Sequence, residues 1–266
     1  MMGMKIAGAT VLLTGATGGI GQVLARRLID LGADLVLTAR ESEALHSLAK
    51  DLGARCVPAD LADPLDVADL AETCGDVDIF VANAGKPASG ELFDYTPEQV
   101  DRALMVNLRA SIMLTRLLTP AMVRAGKGHL VFMGSVAGML TTPYSSLYSA
   151  TKFGLRGFAH ALRQDLHGTG VGVSMIQPGI VGDAGMFAKT GVPVAKGMRT
   201  VSSDQVATAV IRAIVRDQAE INLAPIELRL LCALAVQFPA AAAWIQRQQP
   251  PDNTVQRIAE AQRAYR

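Results

Sequence analysis

Three cysteines in 266 residues, Cys56, Cys74 and Cys232, are odd in number and far apart. That excludes a disulfide framework, offers no cysteine-based metal cluster, and fits a reducing, cytoplasmic compartment. The four histidines, His46, His129, His160 and His167, form no ligand pattern with them, so no metal site is expected. Net charge is only +1, with no basic patch, which argues against a nucleic-acid or other polyanionic partner. No run of eighteen uncharged apolar residues occurs, so a spanning helix is not expected. The richest stretch, Leu230 to Ile245, is broken by Gln237 and Pro239. The apolar run Ala9 to Leu13 is too short for a secretory leader and ends in a glycine-rich turn, as a buried strand does.

Half of the residues are hydrophobic, ample for a large core. Short apolar runs alternate with longer helical patterns. Strands are expected at Thr10–Thr14, Asp34–Thr38, Arg55–Pro58, Ile79–Ala82, His129–Met133 and Gly172–Ile176, with a weaker one at Glu220–Leu223. Helices are expected at Ile20–Leu31, Ser42–Leu52, Asp66–Cys74, Pro97–Arg124, Ser146–His167 and Asp204–Arg216. Continuous apolar strands alternating with helices predict an α/β chain with a doubly wound, Rossmann-like parallel sheet, helices on both faces. No repeat or linker is present, so one domain is expected over 1–266, with its core at about 8–225 and an apolar helical segment from about 226. A helix carrying Ala150, Gly154, Gly157 and Ala161 should let another element approach closely: sheet, cofactor or second subunit. Ser202 or Ser203 should cap the helix from Asp204, and Ser145 and Ser146 should cap the helix that follows them.

The segment Thr14-Gly15-Ala16-Thr17-Gly18-Gly19-Ile20-Gly21 follows the first strand and opens the first helix. Glycines let a backbone turn approach a pyrophosphate, and the helix N-terminus offers it free N–H groups. The spacing is GxxxGxG, through Gly15, Gly19 and Gly21. At the end of the second strand a carboxylate would favour NAD by binding the adenine ribose. The chain instead reads Leu37-Thr38-Ala39-Arg40, and Arg40 suits a 2′-phosphate, so NADP is expected over NAD.

Tyr148 and Lys152 lie four residues apart in Ser145-Ser146-Leu147-Tyr148-Ser149-Ala150-Thr151-Lys152. They share a helix face. A cation beside the phenol should lower its pKa and make it a usable acid or base.

Together these motifs resemble the short-chain dehydrogenase/reductase family over about residues 8–225. The resemblance implies a catalytic tetrad of Asn107, Ser135, Tyr148 and Lys152. It implies a cofactor turn at Thr14–Gly21 that includes Thr17 and Ile20. Asp60 and Leu61 match the family's adenine contact, and Asn83-Ala84-Gly85 matches the motif beside the cofactor after the fourth strand. Pro178-Gly179 matches the turn near the nicotinamide, with Val181 next to it. Asp183 stands where the family often carries a threonine that contacts the carboxamide; it should act either there or as a loop cap. Thr17 replaces the basic residue that some NADP-using members carry in the turn.

The family's mechanism makes Tyr148 the general acid/base, Ser135 the donor to the substrate oxygen, Lys152 the cation that tunes Tyr148 and binds the ribose, and Asn107 the holder of a water leading to Lys152. An NADP(H)-dependent oxidoreductase interconverting a carbonyl and a secondary alcohol is the leading expectation. A silent dinucleotide-sensing regulator, an NAD-dependent alcohol dehydrogenase and an isomerase or lyase on the same fold stand beside it. The loop from Gly182 to Val201, with Ala184, Met186, Phe187, Val192 and Val194, is apolar and points to a lipophilic substrate. Substrate choice should also involve the C-terminal stretch through Leu228, Leu231 and Trp244, for which packing on the core, a hydrophobic lid, an oligomer contact and a peripheral membrane contact are the readings. Helix pairing in the family implies a homodimer or homotetramer.

Overall fold

The computed structural model describes residues 3–194, 199–248 and 254–263. Seven parallel strands form one sheet: β1 (Thr10–Thr14), β2 (Asp34–Thr38), β3 (Arg55–Cys56), β4 (Ile79–Ala82), β5 (Gly128–Met133), β6 (Val171–Pro178) and β7 (Glu220–Leu223). Their spatial order is β3-β2-β1-β4-β5-β6-β7. The chain winds outward from β1 in one direction and then from β4 in the other. The crevice beyond the carboxyl ends of β1 and β4 is therefore the topological switch point, where such sheets take ligands.

The strands read as unbroken apolar runs because both faces are covered. On one face Val11, Leu13, Leu35, Leu37, Val81, Val131 and Ile176 pack against α1 (Gly19–Asp30), α2 (Glu43–Leu52) and α8 (Ser203–Arg216). On the other, Leu12, Val36, Phe80, Leu130, Phe132, Val173 and Met175 pack against α3 (Pro64–Cys74), α5 (Ala110–Ala125) and α6 (Ser146–Asp165). The regular third strand is Arg55–Cys56, short of the expected Pro58, although the chain stays hydrogen-bonded to the β2 side through Val57 N to Leu37 O at 3.0 Å and Ala59 N to Ala39 O at 2.9 Å.

Local signals set the helix starts. Ser42 Oγ accepts from the Leu45 N–H, and Asp63 caps α3 with Pro64 at its first position, two residues before the expected Asp66. Capping boxes open α4 (Pro97–Leu104) through Thr96 and Gln99, and α8 through Ser202 and Gln205. Ser145 sits at the start of α6, but its hydroxyl bonds to Pro143 O and Thr142 Oγ1 and caps nothing. The small-residue stripe of α6 faces mostly outward: Gly154 meets Leu108, and Gly157 has open space before it.

The expected single helix Pro97–Arg124 is two helices joined by a π-turn at Met105–Arg109. Apolar periodicity runs through the junction, which is why the sequence conceals the extra residue. π-turns are frequent at functional sites, and this one carries Asn107.

After β7 come α9 (Ile226–Gln237), α10 (Pro239–Gln248) and α11 (Thr254–Gln262). Cys232, Leu228, Leu231 and Ala235 of α9 pack on Val136, Met139 and Leu140. Leu230, Val236, Phe238 and Trp244 are exposed. Among the described residues no helix is long and apolar enough to cross a membrane.

His129, at the start of β5, gives the fold a pH sensitivity. Ser174 Oγ spends its one proton on Gln218 O at 2.6 Å, so His129 Nε2, 2.8 Å away, must donate to that oxygen. Burial, opposed by Asp217 and helped by Arg163, pushes the imidazole from 6.5 down to about 4. Between these values the unfolded chain binds the proton and the folded one does not. Stability is therefore expected to fall by on the order of 3 kcal/mol as pH drops from 6.5 to 4. Urea titrations across that range should show a shallower loss for His129→Gln; an unchanged slope would remove His129 from the account.

Candidate functional site

The site is built at the carboxyl ends of β1, β4, β5 and β6. No side chain caps the N-terminus of α1, whose first residues are Gly19, Ile20 and Gly21, and its first turn carries no acidic residue. Its leading N–H groups and positive dipole end are thus free to meet an anion. Asn83 Nδ2 donates to Thr14 O at 3.0 Å and to Gly15 O at 3.2 Å, tying the end of β4 to the turn. Thr14 Oγ1 accepts from the Asn83 and Ala84 N–H groups, both at 3.1 Å. Thr17 O accepts from Gln22 Nε2. This uncapped glycine turn fits a dinucleotide pyrophosphate.

The loop after Pro178-Gly179 lies over the turn. A Cβ on Gly19 would stand 2.8 Å from Ala184 Cβ and 2.9 Å from Gly185 N. Val181 bridges to Val201, which anchors the loop's return. The segment 195–198 of the expected substrate loop lies outside the described residues.

Asp183 is engaged by Ser203. Ser203 N donates to both of its carboxylate oxygens, at 2.8 and 3.2 Å, and Ser203 Oγ donates to Oδ2 at 2.8 Å. Burial opposes ionisation there, but these bonds outweigh it and hold the carboxyl below its usual range. These bonds lock the loop to the start of α8.

After β3, Asp60 Oδ2 accepts from Arg102 Nη2 of α4 at 2.7 Å, and Oδ1 accepts from Ala62 N. Burial opposes, but the Ala62 and Arg102 bonds and the charges of Arg102 and Arg40 hold Asp60 below its usual pKa. Leu61 packs against the sheet face that carries Val36 and Phe80. Lys86 is held below its usual pKa by burial, then by the charges of Arg102 and Arg40. Three cations, Arg40, Lys86 and Arg102, thus surround one carboxylate. Arg102 escapes sequence reasoning because it is 42 residues from Asp60.

The tetrad converges. Asn107, on the π-turn, is buried; its Oδ1 accepts from Lys86 N at 2.6 Å and its Nδ2 donates to Lys86 O at 3.0 Å. Its side chain thus clamps the backbone after Gly85. Lys152 is 3% exposed, and its Nζ donates to Met133 O at 2.8 Å. Asn107 Oδ1, Lys152 Nζ and Met186 Cε all come within 4.0 Å of where a Cβ on Gly85 would be. Lys152 Nζ stands 5.6 Å from the centroid of the Tyr148 ring. Ser135 accepts the Ala137 N–H and opens a short 3-10 turn, Val136–Gly138. Its own N–H is held by Gln177, a residue the sequence signals only as a lone amide in an apolar strand.

Desolvation enters the electrostatics of the pair. Burial pushes the Tyr148 phenol up to about 12, opposed only by its hydrogen bond with Ser135. Burial pushes Lys152 down to about 8. One of the three ammonium protons goes to Met133 O, and burial dominates the phenol's shift.

Among the described residues no cluster of three or more metal-ligating side chains exists, and the three cysteines are free. The short chain dehydrogenase family model matches residues 9–192. The chain belongs to the short-chain dehydrogenase/reductase family. It is an oxidoreductase of that family by descent. The ketoacyl reductase HetN of a Nostoc species is 34% identical over 225 residues, 81% of this chain and 78% of HetN. A dehydrogenase/reductase SDR family protein 7-like of Drosophila melanogaster is 29% identical, covering 91% of this chain and 80% of its own length. A short-chain dehydrogenase from Sphingobium yanoikuyae in complex with NADPH superposes with TM-score 0.77 at 27% identity, over 91% of this chain and 96% of its own.

Proposed function

We propose that this chain is an NADP(H)-dependent reductase of lipophilic carbonyls, running in reverse on secondary alcohols. The observation that carries the reading is the convergence of Ser135, Tyr148 and buried Lys152 at the carboxyl edge of the sheet, beside an uncapped glycine turn. The nicotinamide group, when bound, supplies or accepts the hydride. Tyr148 Oη holds the proton that the carbonyl oxygen takes up as it becomes a hydroxyl. A phenol with its pKa near 12 is fully protonated at neutral pH, the state needed for donation. Ser135 Oγ donates to the same oxygen and shares its developing charge. Lys152 keeps a positive charge behind the ring and offers its remaining protons to ribose hydroxyls. Asn107 fixes the backbone at Lys86, and so the wall beside that ribose.

NADP rather than NAD is favoured by the cations around Asp60. Arg40, with Lys86 and Arg102 behind it, makes a field suited to a phosphate monoester. Arg40→Ala is expected to weaken NADPH binding by roughly 10- to 100-fold, as the loss of a charge-assisted bond would, and to leave NADH binding unchanged. Fluorescence titration with both nucleotides reads it; tighter NADH binding that ignores Arg40 would defeat the assignment.

The substrate class rests on the apolar walls. Met186 and Phe187 stand on the loop, and α9 lays Leu228 and Leu231 against Met139 and Leu140 beside the Ser135 turn. Similarity to a ketoacyl reductase supports an acyl-bearing ketone. Exposed Leu104, Leu117, Val123 and Phe153 on α4, α5 and α6 support self-association, and three free cysteines support a reducing compartment. One catalytic domain with an appended helical segment is the organisation we favour. A panel of aliphatic and aryl ketones with NADPH, followed at the nicotinamide absorbance, tests the reading; no turnover of any ketone would overturn it.

A further inference from the structure

We propose that Gln177 is a positioning residue for Ser135, acting with Asn222 as a polar strut that clamps both ends of the serine turn. The proposal rests on the reading of Ser135 as a donor to the substrate oxygen.

Gln177 is fully buried near the end of β6, where an unbonded amide would be costly. Its Oε1 accepts from Ser135 N at 2.9 Å. One residue earlier, Gly134 N donates to Ile176 O at 2.7 Å. The chain leaving β5 therefore hangs on β6 by two consecutive bonds, one of them to a side chain. Gly134 keeps that space open, for a Cβ there would collide with Gln177 Oε1 and Met175 Cε.

The other half of the amide points to the strut. Gln177 Nε2 is buried without a hydrogen-bond partner, and so is Asn222 Oδ1. Gln177 and Asn222 are register partners across β6 and β7. Both project to the face that holds Met175, because side chains alternate along each strand. A donor and an acceptor without partners thus stand side by side, and one bridging water or a small rotamer step joins them. Asn222 Nδ2 in turn donates to Met139 Sδ at 3.8 Å. Met139 follows the 3-10 turn that Ser135 begins. The path Ser135–Gln177–Asn222–Met139 therefore closes on that turn from both sides. Its effect is to fix Ser135 Oγ against Tyr148, where a displacement of the order of an ångström is costly to the reaction.

The test uses Gln177→Met, similar in length but without the amide, Gln177→Glu, which keeps an acceptor oxygen, and Asn222→Leu. Gln177→Met is expected to lower kcat by roughly 10- to 100-fold. NADPH dissociation constants, read by fluorescence, should stay at the wild-type value. Gln177→Glu should recover most of the lost kcat, which a mere packing role would not produce. In urea unfolding, the midpoint shift of Gln177→Met/Asn222→Leu should be smaller than the sum of the single shifts. Wild-type kcat in Gln177→Met overturns the positioning role, and additive midpoint shifts overturn the strut. If turnover proves independent of Tyr148, the catalytic reading fails instead, and the unfolding cycle still judges the strut.

Discussion

Tyr148→Phe is expected to reduce ketone turnover by roughly 10²- to 10⁴-fold, the usual contribution of a positioned general acid. The change deletes one oxygen and leaves the ring, which packs beside Leu147, Ala88 and Ala103. NADPH binding and thermal stability should therefore stay near wild type. The deleted hydroxyl carries no stabilising charge at neutral pH, since burial holds it protonated up to about 12. Stopped-flow assays with saturating ketone, paired with fluorescence titration of NADPH, separate loss of chemistry from loss of binding. Retention of full activity would move the acid elsewhere, and Ser135 would be the next group to test.

Lys152→Met should produce opposite effects on activity and stability. Lys152 is 3% exposed, and burial drops its pKa from 10.5 to about 8. The charged form thus costs the folded state about 3 kcal/mol at neutral pH. Its bond to Met133 O returns about 2 kcal/mol, as a hydrogen bond from a charged donor does. Methionine fills similar volume without the charge, so the variant is expected to melt roughly 2–4 °C higher at pH 7 while losing turnover. The sign with pH follows from proton counts. Below pH 8 both folded and unfolded lysine are protonated and the cost is complete. Between pH 8 and 10.5 only the unfolded chain holds the proton, so wild type gains stability and the difference between the two proteins closes. Calorimetry at pH 7 and pH 10 checks this. A lower melting temperature at pH 7 would mean that the ammonium is better compensated than its single carbonyl partner implies. A buried charge retained at such a cost is what a functional site does.

Much of this molecule is legible without coordinates, for physical reasons. Strands buried on both faces must be continuously apolar, so β1, β2, β4 and β5 announce themselves. Caps act within four residues, so Ser42 and Ser202 mark helix starts, and Tyr148 and Lys152 mark a helix face. The glycine turn is legible because one strand-turn-helix unit contains the whole of it.

What the sequence could not decide is where side-chain groups spend their hydrogen bonds once distant segments meet. Asp183 bonds to Ser203, twenty residues on; Asp60 is held by Arg102 and Ser135 by Gln177, each 42 residues away. Lys152 donates to Met133 O, and burial dominates the phenol's shift. Local periodicity and spacing determined the fold and the glycine turn, while the membership of the tetrad came from the resemblance of ordered motifs to a known family. Desolvation and long-range partners exist only after packing, so the tertiary structure alone decided the charge state of Tyr148, the Ser203 bonds of Asp183 and the tether on Ser135.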